Sequence, residues 1–358
     1  LDDENNAIIS GLTHSILYPT TTGAYDENFH FFSDVFVSKL DTIASKLIFS
    51  TFIGGQSLDE AYSMNIDDLN NIYLTGNTWS PDYPTTPNTF DNEYNGGTDI
   101  FVTKLNSDGT DLIYSTYIGG KDTDIGFAIT IDDFYSSYIT GMSQSTDYPT
   151  TVFAYDTTYN SGYSDIVVTK LNTEGSMIDY STYIGGSEGD YGYSIILDNQ
   201  KNAYVTGQTM SGDFPVTANI IQDTMSGGFW DACVFKLDSS GSSLQYSTYL
   251  GGSSDEAGIS LQIDDNQNLY IAGFTKSFDF PITQNVFSNI SSGFNDIFIT
   301  KINSSASSIL FSTFLGGSSD DFVYALVLDT AKNIYITGAT ASDNFPVTVN
   351  AYNEIYNG

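Results

Sequence analysis

Arginine is absent from this 358-residue chain: its ten basic residues are all lysine, set against 44 acids, for a formal charge of −34. A field of that sign repels DNA, RNA and anionic lipid, so no nucleic-acid partner is expected. Cysteine occurs once (Cys233) and histidine twice (His14 and His30). Those counts exclude a disulfide framework and a Cys/His zinc site. No apolar run approaches the roughly 20 residues of a membrane helix, so direct membrane insertion is not expected. The first residues carry no signal-peptide pattern; because they fall in mid-repeat, an export signal is expected to have been removed or to lie outside them. Also missing are G-x-S-x-G, H-E-x-x-H and Walker motifs.

What is there is repetition. LIFSTFIGG ends at Gly55 and returns, varied, ending at Gly120, Gly186, Gly252 and Gly317. A Thr-Gly box such as YLTG closes at Gly11, Gly76, Gly141, Gly207, Gly273 and Gly338. An aromatic-Pro box (YPTT from Tyr18, DYPTT from Asp82, DFPVT from Asp213) follows each of these. A fourth landmark is an Asp opening an apolar stretch with one Lys: DVFVSKL from Asp34, DIFVTKL from Asp99, DIVVTKL from Asp165, DACVFKL from Asp231 and DIFITKI from Asp296. A near-constant period of about 65 residues means one structural unit repeated.

Each unit reads as four short strands, in the second copy 61–67, 71–78, 99–106 and 112–119, rich in β-branched and aromatic residues and bounded by Gly, Asn, Asp and Pro. Short joins at 68–70, at 107–111 and after Gly119 predict antiparallel hairpins. The long join, 79–98, holds the aromatic-Pro box. No 3.6-residue apolar period supports a helix. Spacer-free repetition of such units is the pattern of β-propeller blades. The expectation is an all-β, single-domain propeller of six blades, with five and seven as alternatives. Its divisions are a partial blade 1–58, blades at about 59–123, 124–189, 190–255 and 256–320, and a partial blade 321–358. Strands missing from the two partial blades would come from a chain continuation or a neighbouring subunit.

YSTYIGG, D-x-x-x-N-x-Y-[IV]-T-G, [DN]-[FY]-P-[TV]-T and D-x-F-V-T-K-L together resemble the SBBP, or β-propeller repeat, family of bacterial and archaeal surface proteins. The resemblance spans the chain. It implies an extracellular propeller without established catalytic residues, and it leaves the ligand open.

Four columns carry charge or rings. Lys39, Lys104, Lys170, Lys236 and Lys301 share one blade position. Four residues after each second glycine stands an acid: Asp59, Asp124, Asp190, Glu256 and Asp321. These acids are expected to pair with the lysines of an adjacent blade, or to bind Ca²⁺ as the one candidate cofactor. Asp67, Asp132, Asp198, Asp264 and Asp329, with Asp2, are each followed four residues on by Asn or Ser and read as turn closers that tolerate left-handed φ. The aromatic-Pro column is expected to pack the long loop against the sheet. Trp79, Trp230 and exposed tyrosines are candidate sugar-stacking platforms. Asn289 and Asn303 open glycosylation sequons.

Because candidate residues follow the repeat, symmetry argues against catalysis. The expected function is a non-enzymatic, extracellular structural or adhesive module of a cell-surface layer, filament or large surface protein, joined through strand pairing between chains. Its partners would be further copies, other surface proteins or glycans. A carbohydrate-binding lectin and, more remotely, a glycan-degrading enzyme are the alternatives.

Overall fold

The computed structural model describes residues 1–356, so the end of the expected partial blade 321–358 lies outside the described residues. Among the described residues all regular structure is β-strand, arranged as six antiparallel sheets. The chain divides into two compact units, Leu1–Tyr159 with Ser164–Tyr183, and Asn160–Tyr163 with the residues from Ile184 onward.

The first unit holds three sheets. One comprises β1 (Ala7–Thr13), β2 (Asp34–Leu40) and β3 (Leu47–Ile53). The next comprises β4 (Asp59–Ile66), β5 (Ile72–Thr78), β6 (Asp99–Leu105) and β7 (Leu112–Ile118). The third comprises β8 (Asp124–Ile131), β9 (Ser137–Ser143), β10 (Asp165–Leu171) and β11 (Ile178–Ile184). In the second unit β12 (Asp190–Leu197), β13 (Ala203–Thr209), β14 (Asp231–Leu237) and β15 (Leu244–Leu250) form one sheet. A second contains β16 (Glu256–Ile263), β17 (Leu269–Thr275), β18 (Asp296–Ile302) and β19 (Ile309–Leu315), and β20 (Asp321–Leu328) pairs with β21 (Ile334–Thr340). Every sheet runs in chain order.

Side chains alternate across a strand, and here both sides are covered, so the middle strands are buried almost throughout. On β6, Phe101 and Leu105 pack with Val35, Val37 and Phe49 of the preceding sheet. Their neighbours Ile100 and Val102 pack with Ile139 and Val167 of the following one. The second unit repeats this arrangement: Phe298 and Ile302 meet Val234 and Leu250, while Ile297 and Ile299 meet Val323 and Leu326. First strands also touch across sheets, with Ile129 N donating to Ser63 Oγ at 3.1 Å and Leu326 N to Ser260 Oγ at 3.0 Å.

Two expectations are corrected. The Gly119–Gly120 stretch makes no hairpin; it carries the chain from the last strand of one sheet to the first strand of the next. First strands begin at the acid itself, Asp59 rather than Ala61, because the peptide N–H of Asp59 is already bound to Ser33 O at 3.1 Å. The long join 79–98 still links hydrogen-bonded neighbours, β5 and β6. It folds back on the sheet through Tyr83, which is buried, stacks on Phe101 at 4.7 Å and bonds Thr103 Oγ1 at 3.1 Å.

Each first strand bulges next to the Thr-Gly box glycine. A Cβ at Gly207 would stand 1.7 Å from Tyr191 O, whereas one at Gly212 would meet nothing within 4 Å. Gly207→Ala is expected to cost about 1–3 kcal/mol through overpacking, and Gly212→Ala a few tenths at most. Urea denaturation of both variants checks this, and equal losses would contradict the packing.

Candidate functional site

Two acid columns lie at opposite ends of the sheets. The turn acids do what their spacing predicts. Asp67 Oδ1 accepts from Leu69 N at 3.0 Å and Asn71 N at 2.8 Å, and Asn71 Nδ2 donates to Oδ2 at 3.0 Å. The left-handed residue is the one before that Asn: Asn70 at φ 61°, Tyr135 at 66°, Lys201 at 65°, Gln267 at 60° and Lys332 at 65°. Side chains that rarely adopt this conformation are held there by the Asp.

The lysines belong to this end too, which corrects the expected pairing. Lys39 meets Asp2 at 2.7 Å, Lys104 meets Asp67 at 3.3 Å, Lys170 meets Asp132 at 3.9 Å, Lys236 meets Asp198 at 2.9 Å and Lys301 meets Asp264 at 2.9 Å. Each pair lies within one sheet. Register explains it: Lys104 stands opposite Tyr73, and Tyr73 opposite Asn65, two residues before Asp67. Lys104 Nζ sits 4.6 Å from the Tyr73 ring centre, whose hydroxyl also bonds Asp67. Burial works to raise the Asp67 carboxyl, but the Asn71 bonds and the Lys104 charge hold it below its ordinary value. For Asp264 burial is likewise outweighed, here by Lys301 and Asn268, and the carboxyl falls to about 2.

The second column has no lysine. Asp59 starts β4 fully buried; its Oδ2 accepts from Gly55 N at 2.7 Å and Ser80 Oγ at 2.9 Å, and its Oδ1 from Thr78 Oγ1 at 2.5 Å. The double glycine, the Thr-Gly strand and the serine two residues before the aromatic-Pro box thus converge on one carboxylate. Asp124, Glu256 and Asp321 hold Gly120 N, Gly252 N and Gly317 N in the same way, at 2.7, 2.9 and 2.7 Å.

Each of these acids faces a second one that was read only as a strand marker. A parallel bridge joins Ser33 to Leu58, and another Thr98 to Thr123, which brings Asp34 to Asp59 and Asp99 to Asp124. Between the two lies the first glycine of the pair. A Cβ on Gly119 would stand 2.2 Å from Asp99 Oδ1 and 3.1 Å from Asp124 Oδ2. On Gly54 it would stand 2.5 Å from Asp34 Oδ1 and 2.9 Å from Asp59 Oδ2. Gly251 separates Asp231 from Glu256, and Gly316 separates Asp296 from Asp321, in the same manner. The outer oxygen of the second acid is satisfied by loop N–H groups, Asn95 N to Asp99 at 2.8 Å and Ser226 N to Asp231 at 2.9 Å. Its inner Oδ1 has no hydrogen-bond partner in Asp34, Asp99, Asp231 or Asp296. Burial, with the neighbouring negative charge adding to it, pushes Asp99 up to about 7 and Asp59 up to about 6. Glu256 is pushed up to about 7 for the same reasons.

The remaining candidates are dispersed. Trp79 and Trp230 are half-buried, and Lys276 covers Trp230 at 5.6 Å. Asn289 is exposed, whereas Asn303 spends its amide on a turn, bonding Ser307 N at 2.9 Å and Ser307 Oγ at 2.9 Å. The sequence reading missed a row of exposed rings two residues before the strand-opening Asp: Phe32, Tyr163, Phe229 and Phe294, each at least 63% exposed. Phe278 and Phe294 wall an open cavity of about 420 Å³ that Lys276, Ser292, Gly293 and Ser318 complete.

Fold and junctions define a protein of repeated, meandering four-stranded sheets stapled by buried acids. The family model described as SBBP, Beta-propeller repeat, matches residues 48–84, 113–149, 179–215 and 310–346. The β-propeller-repeat model thus matches four copies of the repeat, as the boxes imply. No curated protein matches it. Among solved structures it is similar to a gluconolactonase from Xanthomonas campestris (9% identity, 85% of this chain and 79% of that one, TM-score 0.41). It is also similar to a protein of unknown function from Dyadobacter fermentans (10%, 96% and 90%, 0.47) and to a glucose dehydrogenase (10%, 86% and 88%, 0.44). At such identities these likenesses transfer no activity or site. Enzymes are among these neighbours, where the expectation was a non-enzymatic structural or adhesive module; that role is not carried further.

The two columns respond oppositely to pH. A carboxyl raised from 3.8 to between about 6 and 7 stabilises the fold fully below its unfolded value and loses that contribution as pH rises through the folded value. Depressed carboxyls such as Asp67 and Asp264 stabilise above their unfolded value and lose the contribution as pH falls through the folded one. In chelator, the melting temperature is therefore expected to be highest between about pH 4 and 6 and to fall towards pH 8; a continuous rise to pH 8 would contradict it. Lys104→Met, which strands a buried Asp67, is expected to cost on the order of 3 kcal/mol in urea denaturation.

Proposed function

We propose that this protein is a six-bladed β-propeller that acts outside the cell and binds neutral carbohydrate through the aromatic-walled cavity of its second unit. The observation that carries the proposal is that cavity, where the rings of Phe278 and Phe294, 78% and 76% exposed, flank a space of about 420 Å³. Two exposed rings facing one open cavity favour a binding site, and the volume suits a small ligand. A sugar ring has an apolar C–H face and a hydroxyl rim. Phe278 and Phe294 suit the first; the Ser292 and Ser318 hydroxyls and the Lys276 ammonium suit the second. A net charge of −34 disfavours polyanionic glycans and favours neutral ones. No reaction is assigned to the site.

Binding of neutral oligosaccharides to the full chain, followed by titration calorimetry, tests the proposal. Phe294→Ala and Phe278→Ala are expected to weaken the best ligand about tenfold or more, as truncation of an anchoring ring does. Both sites are exposed, so melting should barely change. Absence of binding across the panel, or affinity unmoved in both variants, would overturn the proposal.

A further inference from the structure

We infer that the sheet junctions bind hard divalent cations, Ca²⁺ foremost, between the paired carboxylates Asp34 with Asp59, Asp99 with Asp124, Asp231 with Glu256 and Asp296 with Asp321. The argument begins with counter-charge. All four pairs are buried, and the lysine column is committed to the turn acids at the other end of the sheets. Asp99 opens β6 and Lys104 lies five residues further on, about 17 Å along an extended strand, already committed to Asp67. His30 stands at the first junction, its Nδ1 3.4 Å from Asp34 Oδ2, and Lys276 stands beside the third, where it is paired with Asp255 at 2.9 Å. Two buried acids without a cation must share a proton or take in an ion.

The orphan oxygens point to an ion. In Asp34, Asp99, Asp231 and Asp296 the buried Oδ1 has no hydrogen-bond partner and is directed at the junction glycine, beyond which stands the second carboxylate. An oxygen left in that state is uncommon in a folded protein and calls for an ion or water. Glycine is what leaves room: a Cβ at Gly119 would fall 2.2 Å from Asp99 Oδ1. Where the acid changes, from Asp to Glu256, the carboxylate is kept and still lies across Gly251 from Asp231. The donors are carboxylate oxygens, with hydroxyl groups nearby and no sulfur, which suits Ca²⁺ rather than a thiophilic metal. Among the described residues no cluster offers three or more His, Cys, Asp or Glu groups, so backbone carbonyls and water would complete the shell. Affinities on the order of 10⁻⁴ to 10⁻³ M are expected for so sparse a charged set.

Equilibrium dialysis of the full chain against Ca²⁺ at pH 7.5, with Tb³⁺ luminescence sensitised by nearby tyrosines such as Tyr117, tests the inference. Several ions should bind per chain and raise the melting temperature relative to chelator. Asp99→Asn and Glu256→Gln should each remove one ion, while Asp133→Asn, at an exposed turn, should remove none. In chelator Asp99→Asn should melt no lower than the unmodified chain, because it relieves a like-charge pair; a purely structural Asp99 would make it melt lower. No Ca²⁺ or Tb³⁺ uptake by the unmodified chain overturns the inference and leaves the junctions as proton-sharing pairs. Unchanged stoichiometry in both junction variants overturns it as well.

Discussion

The buried carboxylate that opens each first strand is the contact on which the rest of this structure depends. Asp59 collects an N–H from Gly55 and hydroxyls from Thr78 and Ser80, three groups from three parts of the repeat. Those bonds set the path by which the chain leaves one sheet and starts the next. They also fix where the long loop begins, and so where Tyr83 comes down on Phe101. An apolar residue at Asp59 would leave those donors buried and unpaired, which costs more than the bonds contribute net.

The same contact creates an electrostatic problem that the turn end of the sheet does not have. Asp67 is buried beside Lys104 and stays ionised; Asp59 is buried beside Asp34 and does not ionise readily. Five of the ten lysines pair with the turn acids Asp2, Asp67, Asp132, Asp198 and Asp264, at the end of the sheet away from the junctions. The junctions are thus the places where buried carboxylates face each other, and where the proposed cation would act.

Strand positions were legible in the sequence because each strand is short, β-rich and bracketed by Gly, Asn or Asp. The turn role of Asp67 was legible because its bonds are local, reaching only to Asn71. Partners chosen by register were not. Lys104 was matched to an acid on an adjacent blade, but strand direction carries it to the other end of the sheet, opposite Tyr73. Asp99 was read as the start of a strand because its partner, Asp124, comes close only through the bridge at Thr98 and Thr123. The exposed ring column escaped notice because Gly97 interrupts it, although an aromatic two residues before Asp165, Asp231 and Asp296 was there to be seen.

The central claim is that the junction carboxylates are held by a cation from outside the chain. Anomalous diffraction from crystals of the full chain grown with Tb³⁺ tests it most directly. The account predicts a peak beside Gly119, in contact with Asp99 Oδ1 and the Asp124 carboxylate, and equivalent peaks beside Gly251 and Gly316. A map without peaks at these glycines, with the paired carboxyl oxygens at the short separation of a shared proton, would contradict it.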